Sequence, residues 1–212
     1  GSRATPSEKS WLRSLTLEDR PNHDVRWLKR RRRSFLRDMK SKQNHSRWFV
    51  KEPNLHMITP NVLEIRDNIR MVMVVRHGVD MAFSTNHQQL NLWAPHVLNE
   101  TDMCANPQSS LRYWCEIHRR FDELALKHPD RIRILSFDQL CQNPEPVLRS
   151  LFDFVGIDPT ERLLETSFKG VKPPRSIGRR HNENLSMFST SNLDFVDDFM
   201  DRIECRNESV TS

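Results

Sequence analysis

Five consecutive apolar residues, Met71-Val72-Met73-Val74-Val75, stand between Arg70 and Arg76 and predict a β-strand. An unbroken apolar run, as opposed to an alternating one, is the pattern of a parallel strand covered on both faces. Ile132 to Leu135 predicts another strand. Trp48 to Val50 predicts a further buried one, stopped by Lys51-Glu52-Pro53, because the residue before a proline leaves the helical region. Helical periodicity runs over Leu55 to Arg66, Val79 to about Leu92, and Ser109 to His128. In the last of these, Leu111, Trp114, Cys115, His118, Phe121, Leu124 and Ala125 fall on one side, and Pro129 closes the helix. Pro144 to Val155 predicts a helix with proline at its start, Gly156 at the left-handed cap and Ile157 beyond it. Lys169 to Arg180 reads as a loop rich in Pro, Gly and Arg, followed by a helix from about Leu193 to Cys205. Residues 1–46 read as helix and polar linker. The alternation of strand and helix predicts an α/β domain, a parallel sheet flanked by helices.

The chain has 212 residues, the size of one such domain, able to bury roughly 70% of its unfolded surface. No stretch approaches the ~18 apolar residues of a membrane span, and the first 20 residues hold no apolar run of the signal-peptide kind. The expectation is a chain with neither, any anchor lying upstream, and Gly1-Ser2 is compatible with a cloning remnant. Glycine is the most restrictive count. Only Gly1, Gly78, Gly156, Gly170 and Gly178 occur, which excludes an intact G-x-x-x-x-G-K-[ST] loop and an intact G-x-G-x-x-G fingerprint. Cys104, Cys115, Cys141 and Cys205 show no C-x-x-C spacing and no neighbouring His ladder, so no zinc site is expected, while one disulfide pair remains open. Net charge is +5, densest at Lys29–Arg33 (KRRRR). There Trp27, Leu28, Phe35, Leu36 and Met39 recur at helical spacing, so the run reads as a solvated helix face. No zinc finger, RNA-binding aromatic motif or zipper accompanies it, and no nucleic-acid partner is expected.

Candidate chemistry gathers where the clearest strand ends. Arg76 follows it, Gly78 opens the turn, and Ser84 lies eight residues after Arg76, expected in the first turns of the next helix. Ligands of open parallel sheets bind at the carboxyl ends of strands. An arginine fork, a hydroxyl and a helix N-terminus converging there suit a dianion; a surface ion pair is the structural alternative for Arg76.

The surrounding segment, WFVKEPNLHMITPNVLEIRDNIRMVMVVRHGVDMAFSTN, resembles the core of the sulfotransferase family, which transfers sulfuryl groups from 3′-phosphoadenosine-5′-phosphosulfate. RIRILSFDQLCQNPEPVLRSLFDFVGI is similar to that family's later strand and helix, with Phe137 and Asp138 where Tyr-Glu is usual, and RSIGRRHNENLS to its nucleotide-closing C-terminal segment. The resemblance covers residues 47–188 of a single domain, leaving an N-terminal segment, 1–46, incomplete relative to the family, and a C-terminal helix and tail, 189–212. It implies a P-loop NTPase-like sulfotransferase fold and transfer to a hydroxyl or amine acceptor on a carbohydrate, protein or small molecule, with no metal. Arg76 and Ser84 match the pair that holds the donor's 3′-phosphate. Lys51 matches the catalytic lysine that stabilises the bridging oxygen of the leaving group. Ser176, Gly178 and Arg179 match the late nucleotide-contacting loop, with Arg175 a weaker candidate. The resemblance leaves localisation open between the cytoplasm of a bacterium and, with an upstream anchor, the Golgi lumen of a eukaryote.

The departure lies at the N-terminus. Family members carry a first strand and a P-[RK]-S-G-T-T-like loop for the 5′-phosphosulfate. Here Ser2, Arg3, Thr5, Ser7 and Lys9 stand without a preceding apolar strand or a second glycine. Either residues of that loop are missing from the chain or the loop has degenerated; the second case corresponds to a non-catalytic nucleotide- or polyanion-binding module. The base is equally open. Pro53 occupies the place where some family members have a histidine, and Glu8, Glu18, Asp24, Glu52 and His56 are the titratable groups in reach along the sequence.

Overall fold

A computed structural model describes residues 49, 51, 53, 55–57, 59–65, 67–98, 100 and 104–208. The chain divides into two units, Gly1–Asp67 and Asn68–Ser212. The basic run and Ser2, Arg3, Thr5, Ser7 and Lys9, the candidates for a phosphate loop, lie outside the described residues, as do Glu8, Glu18, Asp24 and Glu52.

In the first unit, Leu55–Met57 forms a 3-10 turn and Thr59–Ile65 helix α1. Pro60 lies in the first turn of α1, where its missing amide would have no helical partner in any case. The Thr59 hydroxyl donates to the Leu55 carbonyl at 2.8 Å. Of the expected buried strand Trp48–Val50, Phe49 is 85% exposed and in no strand, while Trp48 and Val50 lie outside the described residues.

The second unit opens with β1 (Met71–Val75), which pairs in parallel with β2 (Ile132–Ser136), Met71 facing Ile132 and Val75 facing Ser136. Between them run α2 (Gly78–Ala82), α3 (Gln88–Val97) and α4 (Pro107–Lys127). After β2 come α5 (Phe137–Gln142), α6 (Pro144–Val155), α7 (Glu161–Gly170), short 3-10 turns at Arg179–Asn182 and Leu185–Met187, and α8 (Thr190–Glu208). The expected α/β architecture, a parallel sheet flanked by helices, is the one observed. The sheet has two strands among the described residues.

The core lies between β2, α4 and α8, where Leu111, Trp114, Cys115, Phe121, Leu135, Val196, Phe199 and Ile203 are buried. Each large side chain so buried contributes roughly 1.5–3 kcal/mol before the entropy of ordering is set against it. Tyr113, Ile117 and Asp122 join the buried face of α4, so that face is wider than the predicted stripe, while Leu124 is half-exposed. Arg202 on α8 donates to Asp122 at 2.8 Å, fastening the two helices. On β1, by contrast, Val74 is 55% exposed and Val72 is exposed as well, so the strand is covered on one face and not on both. Helices α4 and α8 pack on β2.

Two boundaries move for local reasons. The helix expected from Val79 to Leu92 is interrupted at Phe83–His87, because side chains there capture the amides a helix would need. Ser84 Oγ accepts from the Asn86 amide at 3.2 Å, Asn86 Oδ1 accepts from the Gln88 amide at 3.1 Å, and the His87 ring bonds the Ser84 carbonyl at 2.6 Å. The first residues of the expected loop Lys169–Arg180 belong to α7, which Thr160 caps by accepting from the Leu163 amide. As predicted, Gly156 takes the left-handed cap of α6 with φ 68°, and Ile157 closes the motif on the Phe152 carbonyl at 2.9 Å.

Candidate functional site

Arg76 leaves the C-terminal end of β1, and residues 77–84 turn back over it as α2 and the polar turn that follows. Against this segment lies a stretch about 100 residues later in the chain. Arg76 Nη2 donates to Ser176 Oγ at 2.9 Å. Arg179 Nη1 donates to the carbonyl of Phe83, the neighbour of Ser84. Asp80, fully buried, accepts from the Gly178 amide at 2.7 Å, the Arg180 amide at 2.8 Å and Arg180 Nη1 at 3.0 Å. Gly178 can present its amide this way because it sits at φ 75°, a left-handed conformation that side chains make costly. The sequence candidates Arg76, Ser176, Gly178 and Arg179 are thus brought into one place, and Ser84 lies next to the Phe83 carbonyl that holds Arg179.

Ser84 stands beyond the C-terminus of α2 and not in the first turns of a helix, a correction forced by the side-chain bonds of its own turn. The helix N-terminus is also not the bare donor group the sequence suggested. His77 caps α2, its Nδ1 accepting from the Val79 amide at 3.3 Å.

Charge is distributed unevenly over this cluster. Arg180 takes the carboxylates, with Asp80 at 3.0 Å and Asp138 at 3.9 Å. Arg76 and Arg179 have no carboxylate within ion-pair distance among the described residues. Arg76 Nε is buried and lacks a hydrogen-bond partner, and the guanidinium lies 5.6 Å from the Phe137 ring centroid. Burial pushes His77 down to about 4, the Arg180 cation adding to the effect and Asp80 opposing it. His77 is therefore neutral at pH 7, and its 3.9 Å approach to the exposed Asp197 is no ion pair there. Burial and the nearby Asp80 charge raise Asp138, against Arg180 and Arg76.

Two guanidiniums with no described carboxylate in ion-pair distance and one buried donor unmet have the chemistry of an anion site, beside the buried Asp138 carboxylate, whose two oxygens also lack hydrogen-bond partners. The comparison with protein families fits this, for the model of the sulfotransferase family matches residues 2–161. The chain belongs to the sulfotransferase family. It is a transferase, and its general activity is sulfuryl transfer. Neither curated proteins nor solved structures gave a match. The matched span holds Lys51, Arg76 and Ser84; Ser176, Gly178 and Arg179 lie beyond it and are placed beside Arg76 by the fold alone.

Lys51, in the first unit, is exposed and in no regular element. In the same unit the half-buried His56 bonds the Pro53 carbonyl through Nδ1 at 2.8 Å, and burial lowers its pKa. Arg175 is exposed. Among the described residues no group of three His, Cys, Asp or Glu side chains could hold a metal ion, no helix is long and apolar enough to cross a membrane, and no disulfide joins any of the four cysteines. His118, a histidine on the buried face of α4, stacks on Trp114 and bonds the Trp114 carbonyl at 2.6 Å.

Sequence reasoning missed Asp80, Arg180 and His77. Asp80 carried a signal, an acid inside the otherwise apolar stretch Gly78–Phe83, where burial requires a partner. Arg180 was legible only as the second half of an Arg-Arg pair.

Proposed function

We propose that this sulfotransferase takes its sulfuryl group from 3′-phosphoadenosine-5′-phosphosulfate and passes it to a hydroxyl or amine acceptor, with Arg76, Ser84, Ser176 and Arg179 holding the donor's 3′-phosphate. The observation that carries the reading is the pair Arg76 and Arg179, with no carboxylate in ion-pair distance among the described residues, joined to Ser176 and to the turn of Ser84, with Arg76 Nε unsatisfied. A dianion meets that need, since charge-assisted bonds from a guanidinium to phosphate are about twice as strong as neutral ones. Arg180 offsets the charge of Asp80 at 3.0 Å, and burial and the Asp80 charge raise the pKa of Asp138, which favours its neutral form.

In sulfuryl transfer the acceptor's oxygen or nitrogen forms a bond to sulfur as the bond from sulfur to the bridging phosphate oxygen breaks, and the acceptor's proton passes to a base. Positioning and charge neutralisation do most of the work in such loose transfers. In this reading Lys51 neutralises charge on the departing oxygen, and Gly178 supplies the left-handed turn that lets Ser176 and Arg179 lie on the same segment. The test is incubation of the protein with sulfur-radiolabelled donor and panels of hydroxyl and amine acceptors. Label on an acceptor, with matching release of adenosine 3′,5′-bisphosphate, supports the reading. Donor that survives every acceptor unchanged, and that fails to compete with adenosine 3′,5′-bisphosphate for binding, contradicts it.

A further inference from the structure

We infer that Asp80 is the positioning residue of the nucleotide site: it holds the 176–180 segment against residues 76–84 through bonds that a bound anion does not compete for. The inference rests on the reading of Arg76 and Arg179 as 3′-phosphate ligands.

Three ties join the two segments, and they differ in kind. Arg76 to Ser176 and Arg179 to the Phe83 carbonyl both use guanidinium donors that an incoming phosphate would also recruit. Either donor that turns to the ligand weakens the tie it makes in the free protein. The third tie is made by Asp80 alone. Its Oδ2 receives the Gly178 amide and Arg180 Nη1, its Oδ1 the Arg180 amide, and its side chain has no exposed surface. A carboxylate near an anion site repels the ligand unless a cation is committed to it, and Arg180 is so committed. The adjacent arginines divide the work: Arg180 neutralises Asp80, and Arg179, one residue away, has no carboxylate within ion-pair distance among the described residues.

Fixing Gly178 and Arg180 on either side of Arg179 sets the backbone from which that side chain projects. Preorganisation of this kind raises affinity by removing the ordering cost from the binding step. Asp80→Asn keeps the shape but turns one acceptor into an NH₂ group facing N–H donors, so the segment loosens while Arg76 and Ser84 remain.

The experiment is calorimetric titration of adenosine 3′,5′-bisphosphate, with adenosine 5′-monophosphate as the comparison, into wild type and Asp80→Asn, well below the melting temperature of each. The expected result is at least a tenfold loss of bisphosphate affinity in the variant and little change for the monophosphate. A purely structural role would lower the melting temperature and leave the affinity of the folded protein unchanged, which would overturn the inference. A wild type that does not prefer the bisphosphate overturns the nucleotide site itself, and with it the role given to Asp80. Should the variant not fold, hydrogen exchange in wild type decides. Slow exchange of the Gly178 and Arg180 amides, slowed further by the bisphosphate, is the expected result; exchange at the rate of an open loop, with or without nucleotide, overturns the inference.

Discussion

At the scale of the residue, two side chains carry separable predictions. His77 combines a structural duty, the cap on Val79, with a titration that burial pushes down to about 4. A histidine that binds its proton less readily when folded than when unfolded, where the usual value is about 6.5, stabilises the fold fully above that value. That stability is lost as pH falls from 6.5 toward 4, by on the order of 3 kcal/mol once both states are charged. Asn caps helices well and does not titrate, so His77→Asn should flatten the fall in melting temperature between pH 7 and pH 4. Parallel curves for the two proteins would show that another group drives the acid loss. Lys51 concerns chemistry. A cation that neutralises a leaving oxygen acts mainly as charge develops there, so Lys51→Ala should lower kcat roughly 10²-fold or more with nucleotide affinity little changed. Normal turnover in that variant would remove Lys51 from the mechanism.

At the scale of the element, what was legible depended on whether local and tertiary signals agreed. Helix α6 was read nearly to the residue, because Pro144, Gly156 and Ile157 each act through their own backbone geometry. The stretch after β1 was misread as one helix, since the apolar spacing of Val79 to Leu92 continues across a turn that Ser84 and Asn86 build with their side chains. Helix α2 is short and stays in place by packing. A Cβ on Gly78 would sit 2.9 Å from ring carbons of Trp114 on α4 and from Val196 Cγ2 on α8. Helix propensity favours Gly78→Ala by about 1 kcal/mol, and overpacking against it costs about 1–3 kcal/mol. The clash lies on two sides at once and on a rigid indole, so the second term should prevail and the variant should melt at a lower temperature in thermal denaturation. A stabilised variant would mean that α2 has room to move away from both neighbours.

At the scale of the whole molecule, the parallel strands, the helices around them and the family were all legible, because apolar runs and motif order survive in sequence. The joining of Arg76 to Ser176 and of Asp80 to Gly178 and Arg180 was not, for those partners are about 100 residues apart and no periodicity records them. The burial of β1 was overestimated for the opposite reason. Its composition suits cover on both faces, yet Val72 and Val74 are exposed. The central claim is that Arg76 and Arg179 together receive a 3′-phosphate. Its most direct test is the calorimetric affinity for adenosine 3′,5′-bisphosphate in wild type and Arg76→Ala, with adenosine 5′-monophosphate as control. Loss of a charged partner at such a site is expected to cost on the order of 2–4 kcal/mol of bisphosphate binding. Wild type should prefer the bisphosphate, and the variant should lose most of that preference while melting normally. Equal binding of the two nucleotides by wild type, or an unchanged bisphosphate affinity in Arg76→Ala, would contradict the account.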